Sequence, residues 1–216
     1  MTWFTVNNIG LVILAYLLGS IPTAVWVGKR FYNIDVREHG SGNAGATNTI
    51  RVLGKKAGIP VLLVDVLKGF LAVSLVRFAS VNLESEAYVN YQLLLGVFVV
   101  VGHIFPVFAS FRGGKGIATI LGVVIALHPL AASISFVVFV FVLLMFGFVS
   151  LGSITAAVVF PLLIIKVFDE PNITLNIFSA LVAVMVIITH RKNIGRLLKR
   201  EEPKARIIKK NNDNKA

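Results

Sequence analysis

The chain contains no cysteine among its 216 residues. Disulfide bonds and metal sites built from thiolates are therefore excluded, while the redox compartment is left open. Charged residues are also scarce, because they make up 14% of the chain, whereas a typical soluble domain contains about 25%. Apolar residues account for 56% and the mean hydropathy is +0.85. This composition predicts an integral membrane protein.

Basic residues are missing before Lys29. A cleaved secretory signal needs a basic segment ahead of its apolar core, so we expect the first apolar run to be retained as a membrane span. The length favours one compact unit, since domains usually contain about 100 to 200 residues. We expect residues 1–198 to form a single transmembrane domain. Residues 199–216 are basic and poor in apolar side chains, so they are expected to be a disordered tail near anionic lipid.

Seven apolar runs approach the roughly 20 residues that a helix needs to cross a bilayer. They lie at about residues 9–27, 58–77, 87–108, 116–127, 130–148, 153–168 and 173–189. The sequence thus predicts an all-α protein with seven transmembrane helices. The fourth and sixth runs are short, so counts of five or six stay open, and the fourth run is the weakest.

The basic residues predict the orientation, because Lys and Arg in short loops stay cytoplasmic. Residues 28–56, the loop with Arg112 and Lys115, and the segment from Arg191 onward are all basic, whereas loop 79–86 carries only Glu84 and Glu86. Seven spans with the N-terminus outside and the C-terminus cytoplasmic satisfy this distribution. Four polar segments then meet at the cytoplasmic face: the glycine-rich stretch within residues 28–56, the RGGKG loop, the SLGSIT turn around Ser153 and the THRKNIGRLL segment after the last span. Their position favours an interfacial site over a transport pathway.

Residues 40–51 read GSGNAGATNTIR. Three glycines can adopt a positive φ and let a ligand approach the backbone: Gly40, Gly42 and Gly45. Ser41 or Asn43 is positioned to cap a helix that Gly54 would end. A helix N-terminus beside glycines binds anions, and Arg51, on the same helical face as Thr47, adds a cation suited to phosphate. A flexible polar loop between two spans is the alternative.

A second glycine-rich segment, FRGGKG, covers residues 111–116. It is not a nucleotide-binding P-loop, because position 109 is alanine and Gly116 follows the lysine where Ser or Thr is required. We expect a tight cationic turn, in which the amides of Gly113, Gly114 and Gly116 surround Lys115. A positively charged anchor beside a span is the alternative.

Other polar residues lie in or near the spans. His190 and Asn193 are three residues apart at the end of the last run, where a lone histidine is also compatible with a structural role. Ser153 is expected to cap the sixth span. Asp65 and Lys68, at positions i and i+3, favour a mutually neutralising pair. The segment with Gly19, Ser20 and Pro22 indicates close helix packing or a kink.

The ordered set GSGNAGATNTIR, GGKG and HRKNIGRLL, separated by apolar spans, resembles the bacterial acyl-phosphate:glycerol-3-phosphate acyltransferases of the PlsY family over residues 9–198. The resemblance implies a seven-helix enzyme that transfers a fatty acyl group from acyl phosphate to glycerol 3-phosphate, giving lysophosphatidic acid and inorganic phosphate. It implies a multi-pass protein of the bacterial inner membrane with its active site at the cytoplasmic face. It also suggests coupling to an enzyme that forms acyl phosphate, membrane lipids as partners, and no metal or cofactor. The basic tail accounts for much of the net charge of +11, so no nucleic-acid partner is expected.

Matching by position assigns roles to particular residues. The catalytic candidates are Ser41, Arg51, Lys115, His190 and Asn193. The candidates for binding the phosphates and glycerol are Gly40, Gly42, Asn43, Gly45, Thr47, Asn48, Gly113, Gly114, Gly116 and Ser153. Members of this family often have HRENI in the third motif, whereas Lys192 occupies the acidic position here. Another residue must then supply any packing role of that acid.

No histidine is followed by an aspartate five positions later, so an acyltransferase relay of the H-x4-D type is absent. Acyl phosphate is already activated, and we expect catalysis by proximity and by electrostatic stabilisation. Two other classes share part of the pattern. A transporter requires polar residues along a path through the bilayer midplane, where only Asp65 and Lys68 qualify. A non-catalytic membrane scaffold would depend on the basic tail to bind its partners.

Overall fold

The computed structural model describes residues 5–80 and 86–205. Within those ranges the chain forms α-helices and no β-strand, which confirms the all-α prediction. The helices are α1 (Val6–Gly19), α2 (Thr23–Tyr32), α3 (Ala46–Leu53), α4 (Lys55–Ser74), α5 (Glu86–Ile104), α6 (Ile117–Leu127), α7 (Pro129–Phe146), α8 (Val149–Leu162), α9 (Ile173–Thr189) and α10 (Arg191–Leu198). Glu84 of the predicted outer loop and residues 206–216 of the predicted tail lie outside the described residues.

Four helical stretches are long and apolar enough to cross a membrane: Lys55–Phe78, Glu86–Ala109, Pro129–Phe146 and Val149–Val167. Three of them are longer than α4, α5 and α8 because they include the short helical turns that follow these helices. Two bent pairs qualify when each pair is taken as one span, namely α1 with α2 at 42° and α9 with α10 at 60°. The fourth run forms α6, which has only 11 residues. The described residues therefore support four to six spans by length, and seven stays a prediction.

The first predicted run is broken between Gly19 and Thr23, which confirms the expected kink. Proline has no N–H to continue a helix, and Pro22 lies immediately before α2. The break leaves the Ile21 carbonyl available to another helix, and Lys68 Nζ donates to it at 2.9 Å. An opening in one helix thus supplies an acceptor for a lysine buried in another.

Asp65 and Lys68 form the predicted ion pair inside α4. Lys68 Nζ lies 2.8 Å from Asp65 Oδ1, and the two side chains are only 4% and 2% exposed. The Thr23 hydroxyl donates to the same carboxylate oxygen at 3.2 Å. Because both charges have a partner of opposite sign and a further hydrogen bond, the pair is tolerated among apolar helices.

Glycines let the central helices approach each other. A Cβ on Gly122 in α6 would overlap the Val66 carbonyl of α4, and a Cβ on Gly69 in α4 would overlap the Thr119 carbonyl of α6. Small residues at such contacts allow close packing of membrane helices. This contact fixes α6, and with it the FRGGKG loop that precedes it, against α4.

We expect Gly122→Ala to destabilise the protein by about 1–3 kcal/mol, because the added methyl group forces α4 and α6 apart. The measurement is the midpoint of thermal unfolding in detergent. Gly10→Ala is the matched control, since Gly10 is also helical and nothing lies within 4 Å of the place where its methyl group would stand. Equal midpoints for the two variants would contradict this account of the contact.

Candidate functional site

The first glycine-rich segment is organised around Asn48, which is buried in α3. The Ser41 amide and hydroxyl donate to Asn48 Oδ1 at 2.8 and 3.0 Å. Asn48 Nδ2 in turn donates to the carbonyls of Val36 and His39 at 2.8 and 3.1 Å. One amide side chain therefore fixes the loop on both sides of the glycines.

The predicted cap of α3 is wrong. Gly45 occupies the N-cap position with no side-chain hydrogen bond, because the Ser41 side chain is bonded to Asn48 instead, and Asn43 lies half-buried in the loop. Helix N-termini leave four amides without helical partners. With no side-chain cap at Gly45, the first amides of α3 are open to an anion.

The glycines behave partly as expected. Gly40 and Gly42 adopt φ values of 62° and 72°, and Gly54 ends α3 at 87°. Gly45 does not adopt a positive φ. Its φ of −132° is extended backbone that any residue can adopt. Thr47 and Arg51 are both exposed and lie four residues apart on α3, as predicted. The loop thus presents a helix N-terminus and a guanidinium together.

The second loop differs from the prediction in how its amides are used. The Gly113 amide donates to the Ile104 carbonyl at 3.1 Å, and the Gly114 amide donates to the His103 carbonyl at 3.2 Å. These two amides hold the loop to the end of α5 and are not directed at a ligand. Gly116, at a φ of 81°, occupies the N-cap position of α6 and provides no side-chain hydrogen bond there. The open amides of this loop are therefore those of the α6 N-terminus.

Lys115 begins a chain of polar contacts that joins four parts of the structure. Its Nζ donates to Asn193 Oδ1 at 2.6 Å, and Asn193 Nδ2 donates to Glu202 Oε1 at 2.6 Å. The same oxygen accepts the Ser150 hydroxyl at 2.7 Å, and Arg196 Nε reaches Glu202 Oε2 at 2.7 Å. The loop, α8, α10 and the following segment thus meet at one carboxylate.

The expectation of a disordered tail from residue 199 is incorrect at its start, because Glu202 is only 8% exposed. The Ala205 amide also donates to the Gly147 carbonyl at 2.7 Å. The composition of the segment did not predict these contacts, because the segment is basic and has few apolar residues. The available signal was the acidic pair Glu201 and Glu202 within otherwise basic sequence. Glu202, rather than position 192, supplies the acidic group that contacts α10.

Ser153 does not cap a helix. It lies inside α8, which begins four residues earlier at Val149, and its hydroxyl donates to the Val149 carbonyl at 2.9 Å. The serine that reaches the Lys115 network is Ser150, one turn closer to the start of α8. The local sequence does not distinguish Ser150 from Ser153, and only the packing of α8 against residue 202 shows which serine joins the network.

His190 lies at the 60° bend between α9 and α10 and is buried. Its Nδ1 is 2.8 Å from the Val186 carbonyl, which can only accept, so we assign the proton to Nδ1 and leave Nε2 as an acceptor. Burial and the nearby Lys115 charge lower the pKa of His190 to about 4. His190 is therefore neutral near pH 7 and can accept a hydrogen bond from a hydroxyl group.

The electrostatics link the two loops. Burial lowers the pKa of Lys115 to about 8; the Glu202 carboxylate opposes this shift, while the charges of Arg196 and Arg51 add to it. Burial raises the pKa of Glu202, but hydrogen bonds from Asn193, Ser150 and Arg196 outweigh that effect and lower it overall.

The described residues define a helical membrane protein with two glycine-rich, cationic loops, whose regions are joined by hydrogen bonds from Arg37 to the Ala109 and Arg112 carbonyls. The family model described as glycerol-3-phosphate acyltransferase matches residues 9–200. The chain is 48% identical over 200 residues to glycerol-3-phosphate acyltransferase 3 of Bacillus anthracis, covering 93% of this chain and 96% of that protein. It is 46% identical over 200 residues to the glycerol-3-phosphate acyltransferase of Listeria monocytogenes serovar 1/2a, covering 93% and 98%.

A crystal structure of PlsY, an integral membrane glycerol 3-phosphate acyltransferase, in its glycerol 3-phosphate form is also similar. It has 40% identity and a TM-score of 0.81, over 91% of this chain and 94% of that chain. A second form of PlsY, with lysophosphatidic acid, has a TM-score of 0.77 at 39% identity, with the same coverage of both chains. The chain therefore belongs to the glycerol-3-phosphate acyltransferase family, and the resemblance seen in its motifs is confirmed.

We expect Glu202→Gln to lower acyltransferase activity by about 10- to 100-fold, because a hydrogen bond to a charged group is worth about 1.5–3 kcal/mol. The substitution also removes the charge that opposes the lowering of the Lys115 pKa. The measurement is the initial rate of glycerol 3-phosphate acylation in lipid. Glu201→Gln is the control, since Glu201 is the exposed neighbour. Equal rates for the two variants would show that the network has no part in catalysis.

Proposed function

We propose that the protein transfers a fatty acyl group from acyl phosphate to glycerol 3-phosphate, forming lysophosphatidic acid and inorganic phosphate. One observation carries the proposal: two glycine-rich loops lead into helices without side-chain caps, Arg51 and Lys115 lie on these segments, and Arg37 joins the two regions through hydrogen bonds to the Ala109 and Arg112 carbonyls. Helix N-termini and fixed cations bind phosphate groups. Both substrates carry a phosphate, and their heads must meet for the acyl group to move.

The crystal forms of the related PlsY support the choice of substrates, since they are a glycerol 3-phosphate form and a lysophosphatidic acid form. These are the acceptor and the product of the proposed reaction. The choice of acyl phosphate as the donor rests on the resemblance of the motifs and on the presence of two loops suited to anions, one for each substrate. A transporter is disfavoured because Asp65 and Lys68, the charged pair inside α4, neutralise each other.

The proposed roles follow from the contacts. Lys115 and the N-terminus of α6 hold the phosphate of glycerol 3-phosphate, and Asn193 orients the ammonium group. Arg51 and the N-terminus of α3 bind the phosphate of the donor, and Ser41 positions the loop beside them through its hydrogen bonds to Asn48. His190 accepts a hydrogen bond from the glycerol at Nε2, because its backbone contact is made by Nδ1. The glycines, Asn43, Thr47, Asn48 and Ser153 contribute shape and backbone contacts around these groups.

In the proposed reaction, a hydroxyl oxygen of glycerol 3-phosphate attacks the acyl carbonyl carbon and forms the ester C–O bond. The bond from that carbon to the phosphate oxygen breaks, its electron pair leaves with the phosphate, and that phosphate takes the hydroxyl proton. Well-oriented reactants gain up to about 7–11 kcal/mol from proximity. The helix amides and cations stabilise the developing oxyanion and the departing phosphate, so the reaction needs no protein base.

The contacts between loops support the seven-span topology. Lys115 precedes α6 and contacts Asn193, which follows α9. Two residues on the same side of a membrane are separated by an even number of crossings. Between Lys115 and Asn193, the helices α7, α8 and α9 account for three crossings. A fourth crossing, by α6, makes the number of crossings even. On the opposite side, Asn172 Nδ2 before α9 lies 3.4 Å from Asn90 Oδ1 near the start of α5, which again requires an even number between them.

The same contacts support a cytoplasmic site in the inner membrane of a bacterium. Arg37 contacts carbonyls of the second loop, and Lys115 contacts Asn193, so the three basic segments lie at one end of the helices. Short basic loops favour the cytoplasmic side. There the enzyme can receive acyl phosphate from a donor-forming enzyme, and residues 206–216 are proposed to lie near anionic lipid.

The direct test supplies the purified protein in lipid with palmitoyl phosphate and glycerol 3-phosphate. We expect lysophosphatidic acid and inorganic phosphate in equal amounts, with losses of about 100-fold or more in Ser41→Ala, Arg51→Ala and Lys115→Ala, since Arg51 and Lys115 stabilise charge and the Ser41 hydroxyl holds the first loop to Asn48. Arg30→Ala is the control for a lost cation at an exposed position. Absence of product from the wild type, or three variants as active as the control, would overturn the proposal.

The pH profile tests the state of Lys115. With a pKa of about 8, Lys115 is charged below that pH and neutral above it, so kcat/KM for glycerol 3-phosphate is expected to fall above about pH 8. Lys115→Arg keeps its charge at higher pH and should move this fall upward. The pKa of His190 is about 4, so this side chain stays neutral throughout that range. A fall below pH 7 that disappears in His190→Gln would instead indicate a histidine base.

A further inference from the structure

A strained turn lies directly before the glycines of the second loop. Ser110 and Phe111 have φ values of 54° and 58°, which place two consecutive non-glycine residues in the left-handed region. Residues with a Cβ are disfavoured there and persist only where the surroundings hold them. The Arg112 amide donates to the Ala109 carbonyl at 3.2 Å, and the Phe111 amide donates to the Pro106 carbonyl at 2.9 Å. These backbone bonds close the turn.

Arg37, from the first loop region, contacts this turn on both sides. Its Nη1 donates to the Ala109 carbonyl at 2.9 Å and to the Arg112 carbonyl at 3.4 Å. The two acceptors flank the strained pair, Ser110 and Phe111. The side chain of Arg37 is only 14% exposed, so its contacts are shielded from water more than those of a surface arginine.

The guanidinium of Arg37 is itself held in place by Asp35. Arg37 Nε lies 2.9 Å from Asp35 Oδ1, and Nη2 lies 2.7 Å from Oδ2. The backbone amide of Arg37 also donates to Asp35 Oδ1 at 3.0 Å, and Lys29 Nζ is 3.3 Å from Oδ2. Hydrogen bonds from Arg37 hold the pKa of Asp35 well below its usual range despite burial. The pair therefore stays charged and fixed in orientation.

The segment that carries Arg37 is fixed to the first loop as well. The carbonyls of Val36 and His39, on either side of this arginine, accept from Asn48, which also accepts from Ser41. Arg37 thus connects a segment organised by α3 to the turn that leads into Lys115. A change in the position of either loop must be accompanied by a change in these contacts.

We infer that Arg37 is a positioning residue, which holds the left-handed turn at Ser110 and Phe111 and thereby fixes the Lys115 loop against the Ser41 and Arg51 loop. This inference rests on the proposed function for the role of Lys115, and Arg37 acts on the reaction only through that loop. Lysine cannot replace it, because a single ammonium lacks the planar fork that binds Asp35 and the turn at once.

The test compares Arg37→Ala with a variant that also carries Ser110→Gly and Phe111→Gly. We expect Arg37→Ala to lower kcat/KM for glycerol 3-phosphate by about 10- to 100-fold, because small displacements in a reacting geometry have effects of that size. Glycine adopts a positive φ without the cost of a Cβ, so the two glycines should recover at least about tenfold. The glycine pair alone, and Arg30→Ala on the exposed surface of α2, are the controls.

Hydrogen exchange in the same detergent provides a reading that does not need activity. The amides of residues 111–114, which are bonded within the turn and to α5, should exchange faster in Arg37→Ala than in the wild type or Arg30→Ala. If Arg37→Ala is not monodisperse, Arg37→Lys is measured in its place, with the same direction of change in exchange and in kcat/KM.

The outcomes separate this inference from the proposed function. A wild type that makes no lysophosphatidic acid from acyl phosphate rejects the proposed function, while the exchange rates still test the contact. Unchanged exchange and unchanged kcat/KM in Arg37→Ala would overturn the inference. A loss of activity that the two glycines fail to recover would also overturn it, because the defect would then not arise from the strained turn.

Discussion

The hydrogen bond from the Lys115 ammonium to Asn193 is the contact on which the rest of the site depends. A cation beside apolar helices needs polar partners that cannot move away, and Asn193 is itself held by Glu202. The carboxylate is fixed in turn by Ser150 and Arg196. Since an ammonium group has three donors, one bond to Asn193 leaves two that can bind the phosphate oxygens of the proposed acceptor. The chain of contacts thus orients the charge without neutralising it.

The features that could be predicted from the sequence are local. Apolar runs follow from composition over about 20 residues, the Asp65 and Lys68 pair from their spacing on one helix, and the break near Pro22 from the missing N–H. The contacts that were missed join distant positions. Ser150 and Glu202 are 52 residues apart, and Arg37 and Ala109 are 72 apart. Periodicity contains no information on such pairs, because they depend on how whole helices pack.

The incorrect cap of α3 has a physical cause. Ser41 was expected to cap this helix, but its hydroxyl bonds to Asn48 and stabilises the loop instead. Gly45 then takes the N-cap position without a side-chain oxygen. A capping side chain would occupy the amides that an anion needs, so a binding loop gains from using its serine elsewhere. The preference for polar caps describes helices in general, and α3, which we propose to receive an anion at its N-terminus, departs from it.

The shortness of α6 affects the depth at which chemistry can occur. Its 11 residues span about 16 Å, whereas the hydrocarbon core is about 30 Å thick. In the proposed seven-span topology, a helix of this length that reaches the outer boundary must start well beneath the inner one, and Lys115 at its beginning is then at the depth of the acyl chains. With this topology, the acyl phosphate that we propose as the donor keeps its tail in the hydrocarbon while it reacts. Glycerol 3-phosphate, the small water-soluble acceptor, then has to move inward to meet it.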